Sequence, residues 1–131
     1  MIQIIKPDEV REKHAIKKAW GAELIIHNSD SYCGKLLIFE QGAKFSMHFH
    51  HIKKETWYVS EGNFKLKYID TKDATEHEVE LESGTIIEID RCSPHQLSTE
   101  TGGIIFEVST PHYDDDSYRI AKGDSQLKKE E

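Results

Sequence analysis

Short alternations of apolar and polar residues, cut every few positions by turn-forming residues, leave this chain few folds to adopt. From Trp20 onward the segments 23–26, 32–40, 44–51, 55–60, 64–69, 78–81, 85–89, 95–99 and 104–109 read as strands. Between them lie Asn28–Ser31, Gln41-Gly42, Ile52–Lys54, Glu61-Gly62-Asn63, Asp70–Glu76, Ser83-Gly84, Ser93-Pro94 and Thr101-Gly102-Gly103. Within 64–69 the period is two: Phe64, Leu66 and Tyr68 share one face, Lys65 and Lys67 the other. Many short strands with frequent turns predict an all-β sandwich or barrel.

The rest of the chain is subordinate to that barrel. Residues 1–19 form an N-terminal segment in which Met1–Ile5 alternates weakly, as an edge strand would, and Pro7-Asp8-Glu9 starts a helical turn. Residues 20–122 carry the barrel, and 123–131 form a polar tail expected to fray. At 131 residues this is one domain. With 17 Lys and Arg against 24 Asp and Glu, net charge −7, and no basic stripe, the chain is not expected to bind nucleic acid. Cys33 and Cys92 lack zinc-type spacing. The N-terminus lacks a signal-peptide pattern, and no run approaches the roughly 20 apolar residues of a membrane span. The expectation is a cytoplasmic protein with free thiols and no membrane partner.

Chemistry concentrates between Gly42 and Glu55. On a strand over 44–51, His48, His50 and Ser46 project to one face, and Phe45, Met47, Phe49 and His51 to the other. A short loop then places Glu55 on a neighbouring strand, with Trp57 and Val59 on its face. Two imidazoles and a carboxylate suit a first-row divalent metal: Zn, Mn, Fe, Ni or Co. His95 follows the Ser93-Pro94 turn at a strand start and is the natural fourth ligand.

These residues carry a family resemblance. Gly42-x5-His48-x-His50-x4-Glu55-x6-Gly62 is similar to the first cupin motif at every defined position. The second, G-x5-P-x-G-x2-H-x3-N, is met at Gly84 and His95, whereas Asp90, Cys92 and Thr99 replace its proline, glycine and asparagine. The resemblance implies a cupin jelly roll. Over residues 19–120 the chain further resembles the cupin domain of type II phosphomannose isomerases (mannose-6-phosphate isomerase-like). Trp20-Gly21, Ser46–Trp57, Glu107-Val108 and Asp115-Asp116-x-x-Arg119 carry that likeness. Three departures stand out: His48 replaces a glutamine of that family, Lys53 replaces an arginine, and the tail is two residues shorter.

What the resemblance implies is a metal-dependent isomerase or epimerase acting on a sugar or sugar phosphate. The metal would polarise substrate oxygens while Glu107, Lys53 or metal-held solvent moves a proton between adjacent carbons. Arg119 is the candidate clamp for a phosphate or carboxylate, set against an exposed arginine paired with Asp114, Asp115 or Asp116. His112 either contacts substrate or packs the last turn with Tyr113. Lys53 either reaches substrate or is solvated. Either Lys35 or Glu40 faces the pocket; Tyr68, Trp57 and Phe106 line the barrel, and Glu107 is a pocket acid or faces solvent. Two other functions stay open: an Fe(II) dioxygenase on three His and one Glu, and a non-catalytic carbohydrate-binding or regulatory cupin. Family analogy also implies a homodimer joined at sheet edges, with the N-terminal segment available for that contact.

Overall fold

The structure is a computed structural model that describes residues 1–127. It opens with helix α1 (Pro7–Lys13), followed by eleven strands: β1 (Ala15–Lys18), β2 (Gly21–Asn28), β3 (Cys33–Phe39), β4 (Met47–Phe49), β5 (Glu55–Gly62), β6 (Phe64–Asp70), β7 (Thr75–Leu81), β8 (Ile86–Ile89), β9 (His95–Ser98), β10 (Gly103–Ser109) and β11 (Tyr118–Ala121). One helical turn, α2 (Asp124–Leu127), closes the described chain. The strands form two antiparallel sheets, ordered β1-β2-β3-β10-β5-β8 and β11-β4-β9-β6-β7. This is the all-β sandwich that the strand pattern predicts, with the single-domain jelly roll that the family resemblance implies.

The core lies between the sheets and is built by alternation. Along β5, Glu55, Trp57 and Val59 are buried; along β10, Ile105 and Glu107; along β6, Phe64 and Leu66. Trp20 stacks on Phe39 with ring centroids 4.6 Å apart, and Phe64 meets Phe39 edge-on at 5.2 Å. Each such side chain taken fully out of water contributes about 1.5–3 kcal/mol. The Glu61–Asn63 hairpin needs glycine: Gly62 has φ +87°, and a Cβ there would lie 2.1 Å from the Gly102 carbonyl oxygen.

Several expectations need correction. Met1–Ile5 pairs with no strand; its Met1, Ile2, Ile4 and Ile5 side chains are exposed. The charged stretch to Lys18 ends its helix at Lys13, and β1 joins the first sheet beside β2. The alternation read over 44–51 survives only in β4. Before it the backbone is irregular, so Phe45 turns inward and sits 5.0 Å from the His48 ring, centroid to centroid. Phe106 faces outward, whereas Trp57 is core; Tyr68 lies on the inner face of β6, opposite His95, and stacks on His77 at 5.1 Å. The tail does not fray at once. Asp124 is buried and its carboxylate accepts the Lys44 backbone N–H at 3.0 Å. Gly123 packs so closely that a Cβ would lie 2.2 Å from the Phe45 carbonyl carbon. The expectation for residues 128–131 lies outside the described residues. Both cysteines are free. Among the described residues no helix is long and apolar enough to cross a membrane.

Candidate metal centre

Two strands bring the imidazoles together. β4 carries His48 and delivers His50 just past its end; β9 opens with His95, which stands opposite His48 in register. Directly opposed residues on paired strands share a face, which aims both rings into the barrel. The ligand atoms of His48, His50 and His95 all lie within 4.8 Å of one another. Glu55, at the start of β5, places Oε2 3.3 Å from His50 Nε2 and 3.9 Å from His95 Nε2.

Backbone carbonyls set the tautomers. Nδ1 of His48 lies 2.8 Å from the Ser46 carbonyl oxygen, Nδ1 of His50 2.7 Å from that of Asp116, and Nδ1 of His95 2.8 Å from that of Ser93. A carbonyl has no proton to give, so each Nδ1–H donates and each neutral ring is left with a bare Nε2. Burial above all holds His50 and His95 down to about 4 and His48 well below its usual value, so the rings are neutral near pH 7. Among the described residues three buried side-chain atoms have no hydrogen-bond partner, and two of them, His95 Nε2 and Glu55 Oε2, belong to this site while the third is His27 Nε2. Orphaned buried polar atoms cost free energy unless something satisfies them. Here both point at the space between the imidazoles. Nitrogen and carboxylate donors converging in this way fit a first-row divalent ion.

Beside the imidazoles lies a buried ion-pair cluster. Lys53 Nζ donates to Glu107 Oε2 at 3.1 Å, reaches His112 Nδ1 at 3.3 Å, and lies 3.9 Å from Glu55 Oε2. Lys53 is thus not solvated: it is 3% exposed, and Glu107 is 2% exposed. Burial pushes the Lys53 ammonium down, but Glu107 and then Glu55 outweigh it and raise its pKa. Burial and the adjacent Glu107 push the Glu55 carboxyl up to about 8. For Glu107 burial is outweighed by Lys53 and then Lys35, and its carboxyl falls to about 2. Trp57 Nε1–H donates to Glu55 Oε1 at 2.6 Å and fixes that carboxyl's orientation. Lys35, not Glu40, faces the interior, 3.5 Å from Glu23.

A cavity of about 470 Å³ is lined by the imidazoles together with Lys35, Lys53, Glu107 and the exposed Arg119. Arg119 stands opposite His48 on β11. Arg119 is exposed, and among the described residues no ion pair joins it to Asp114, Asp115 or Asp116. Asp114 Oδ1 is 3.3 Å from His112 Nε2. His112 is held by Asn28, which accepts its N–H at 2.9 Å and donates to its carbonyl at 3.0 Å; the ring lines the cavity. His51 points outward, 3.5 Å from Cys92 Sγ.

The role of one residue was not foreseen: Asp116 stands in the sequence reading only within a motif and as a candidate ion-pair partner of Arg119. The buried Asp116 carboxylate accepts the backbone N–H groups of His51, Ile52 and Lys53 at 2.9, 3.0 and 2.9 Å, while its carbonyl holds His50. Burial raises this carboxyl, but the three N–H bonds outweigh it and lower its pKa. Asp116 therefore clasps the loop between two of the converging side chains.

With this geometry in view, the family follows. The cupin domain family matches residues 35–109, more than half of the chain, and the protein belongs to it. Solved structures agree on the fold. The capsular polysaccharide assembling protein CapF of Staphylococcus aureus superposes with a TM-score of 0.71 at 16% identity, covering 82% of this chain and 34% of that one. Oxalate decarboxylase of Bacillus subtilis gives 0.72 at 16% identity, covering 85% and 31%. The formate complex of the Lactobacillus farciminis oxalate decarboxylase gives 0.71 at 16% identity, covering 85% and 35%. The chain spans about a third of the length of these proteins. No curated protein matches it.

Proposed function

We propose that His48, His50, His95 and Glu55 hold one divalent transition metal, and that the site is a sugar or sugar-phosphate isomerase or epimerase of the mannose-6-phosphate isomerase-like kind. The observation that carries the reading is the buried Lys53–Glu107 pair, 3.1 Å apart, set in the same cavity as the imidazole cluster. An ion held there supplies Lewis acidity toward hydroxyl and carbonyl oxygens. Glu107 faces the cavity as a carboxylate and serves as the base that takes a proton from the carbon beside the carbonyl and returns it to the neighbouring carbon. Lys53 orients that carboxylate and donates to a substrate oxygen. Arg119, whose guanidinium fork matches phosphate, binds the anionic end of the substrate, and His112 lines the same cavity. CapF, described as assembling capsular polysaccharide, has the same fold, which is in keeping with a sugar-derived substrate.

The test is isotopic. Metal-loaded protein is incubated in deuterated water with mannose 6-phosphate and other aldose phosphates. Deuterium at C2, seen by NMR and lost in Glu107→Gln, is the expected result. No exchange with any sugar phosphate would overturn the reading, and oxygen uptake by Fe(II)-loaded protein would put a dioxygenase in its place.

The clasp makes a second expectation. Asp116→Ala leaves every proposed ligand in place but frees three backbone N–H groups and the segment that holds His50. Metal affinity, measured by competition with a chromophoric chelator, is expected to fall about 10–100-fold, the usual effect of removing a group that orients a ligand. Unchanged affinity would show that the clasp does not position His50.

A further inference from the structure

The C-terminal turn docks without an apolar side chain to hold it. From Tyr118 to Leu127 no hydrophobic side chain is buried; Ile120 is 52% exposed and Leu127 61%. Such a segment ordinarily frays, because nothing offsets the entropy lost on ordering it. Here it is tied to the stretch of chain that leads into β4. The Asp124 N–H donates to the Lys44 carbonyl and the Lys44 N–H to the Asp124 carboxylate, both at 3.0 Å. Gly123 lies so close to the Phe45–Ser46 peptide that a Cβ would come within 2.2 Å of the Ser46 nitrogen. Ser46 is two residues from His48, and its Oγ lies 3.1 Å from Nδ1 of that ring. The anchor therefore sits beside the strand that delivers a proposed ligand.

What the docking delivers is two polar side chains. Ser125 and Gln126 both line the cavity that holds the imidazoles. Gln126 Oε1 accepts the Gly123 N–H at 3.0 Å, and this bond settles which end of the carboxamide is which. The Gln126 NH2 group and the Ser125 hydroxyl are left without a hydrogen-bond partner among the described residues. Ser117 and Arg119 line the same cavity, so between residues 117 and 126 every lining side chain can donate and none is acidic. The cavity's acids lie elsewhere: Glu23, Glu55 and Glu107 all stand on the first sheet, whereas β11 edges the second. We infer that the C-terminal turn completes the substrate site, with Ser125 and Gln126 donating to the oxygens of a polyhydroxy phosphate whose anionic end Arg119 holds. Neutral donors suit that task, since each adds a charge-assisted bond to an oxyanion that the guanidinium already compensates. The inference rests on the proposed function for the class of substrate, and on the turn's own contacts for the rest.

The test is calorimetric titration of the full chain, as purified and metal-loaded, with mannose 6-phosphate and with inorganic phosphate. Gln126→Glu keeps the acceptor for the Gly123 N–H but puts an anionic oxygen where the NH2 group stands. It is expected to weaken binding of mannose 6-phosphate about 10–100-fold. Ser125→Ala, which touches no bond of the anchor, is expected to weaken it about 3–10-fold. Gly123→Val has no room against the Phe45–Ser46 peptide and is expected to undock the turn, with a loss at least as large as that of Gln126→Glu. Hydrogen exchange reads docking separately: the Lys44 and Asp124 amides should be protected in wild type and Gln126→Glu, and exchange fast in Gly123→Val. Lys65→Glu, on the outside of the second sheet, controls for net charge and is expected to change affinity less than about 2-fold. A wild type that binds neither probe overturns the inference, and so do Ser125→Ala and Gly123→Val proteins that bind as tightly as wild type. The isomerase reading fails separately: sugar-phosphate binding that depends on Gln126, without deuterium at C2, refutes the isomerase and leaves the inference standing. Deuterium exchange with undiminished binding in all three variants does the reverse.

Discussion

Replacing His50 with alanine is expected to abolish metal binding while leaving a folded, less stable barrel. The ring supplies a bare Nε2 3.3 Å from Glu55 Oε2, and its Nδ1–H is tied to the Asp116 carbonyl at 2.7 Å. Alanine removes both. Loss of a donor from a site of four leaves too few ligands to hold a divalent ion against water, so metal per chain should fall from one to near zero by elemental analysis. The barrel should survive, because its core of Trp57, Val59, Phe64, Leu97 and Ile105 is untouched. The metal-free variant should lose about 1–3 kcal/mol relative to metal-free wild type, from the unpaired Asp116 carbonyl and the space left behind. Unchanged metal content would show that the ion sits elsewhere.

Lys53→Met should produce the largest loss of stability. It strips the nearest partner from Glu107, a carboxylate 2% exposed, and leaves that charge beside Glu55. Breaking a buried pair by removing one partner costs about 3–5 kcal/mol, because the remaining charge stays desolvated. For a chain of this length that corresponds to a fall of roughly 10–20 °C in Tm. Adding Glu107→Gln to Lys53→Met should restore most of the loss, since a neutral amide carries no such penalty. A single variant as stable as wild type, or a double variant no better than the single one, would mean that the pair does not hold this wall of the cavity together.

Legibility divided along physical lines. The fold and the converging side chains depend on period-two alternation and fixed spacings, which are local properties. The His48-x-His50 spacing and Glu55 beyond a short loop could therefore be read from the chain. Phe45 could not, because its inward turn depends on the register of β4 against its neighbours and on Gly123 packing against the Phe45–Ser46 peptide, contacts from distant chain. Lys53 looked solvated because lysine usually is, and only its partner on β10 makes burial tolerable. Asp116 was visible in Asp115-Asp116-x-x-Arg119, but its bonds to residues 51–53 join positions more than sixty apart. The outward position of Phe106 on the first sheet was hidden because it looked like core; an outward apolar residue and an inward one have the same hydropathy. Cys92 stands where the cupin pattern has glycine and adopts φ +60°, so the turn keeps the conformation of the pattern without its usual residue.

The central claim is that four side chains from three segments hold one ion. An anomalous difference map at the absorption edge of the metal found by elemental analysis, from crystals grown without chelator, tests it directly. The account predicts a single strong peak within bonding reach of Nε2 of His48, His50 and His95 and of the Glu55 carboxylate. A map with no peak among these residues, or with a peak on other ligands while the three imidazoles bind only water, would contradict it.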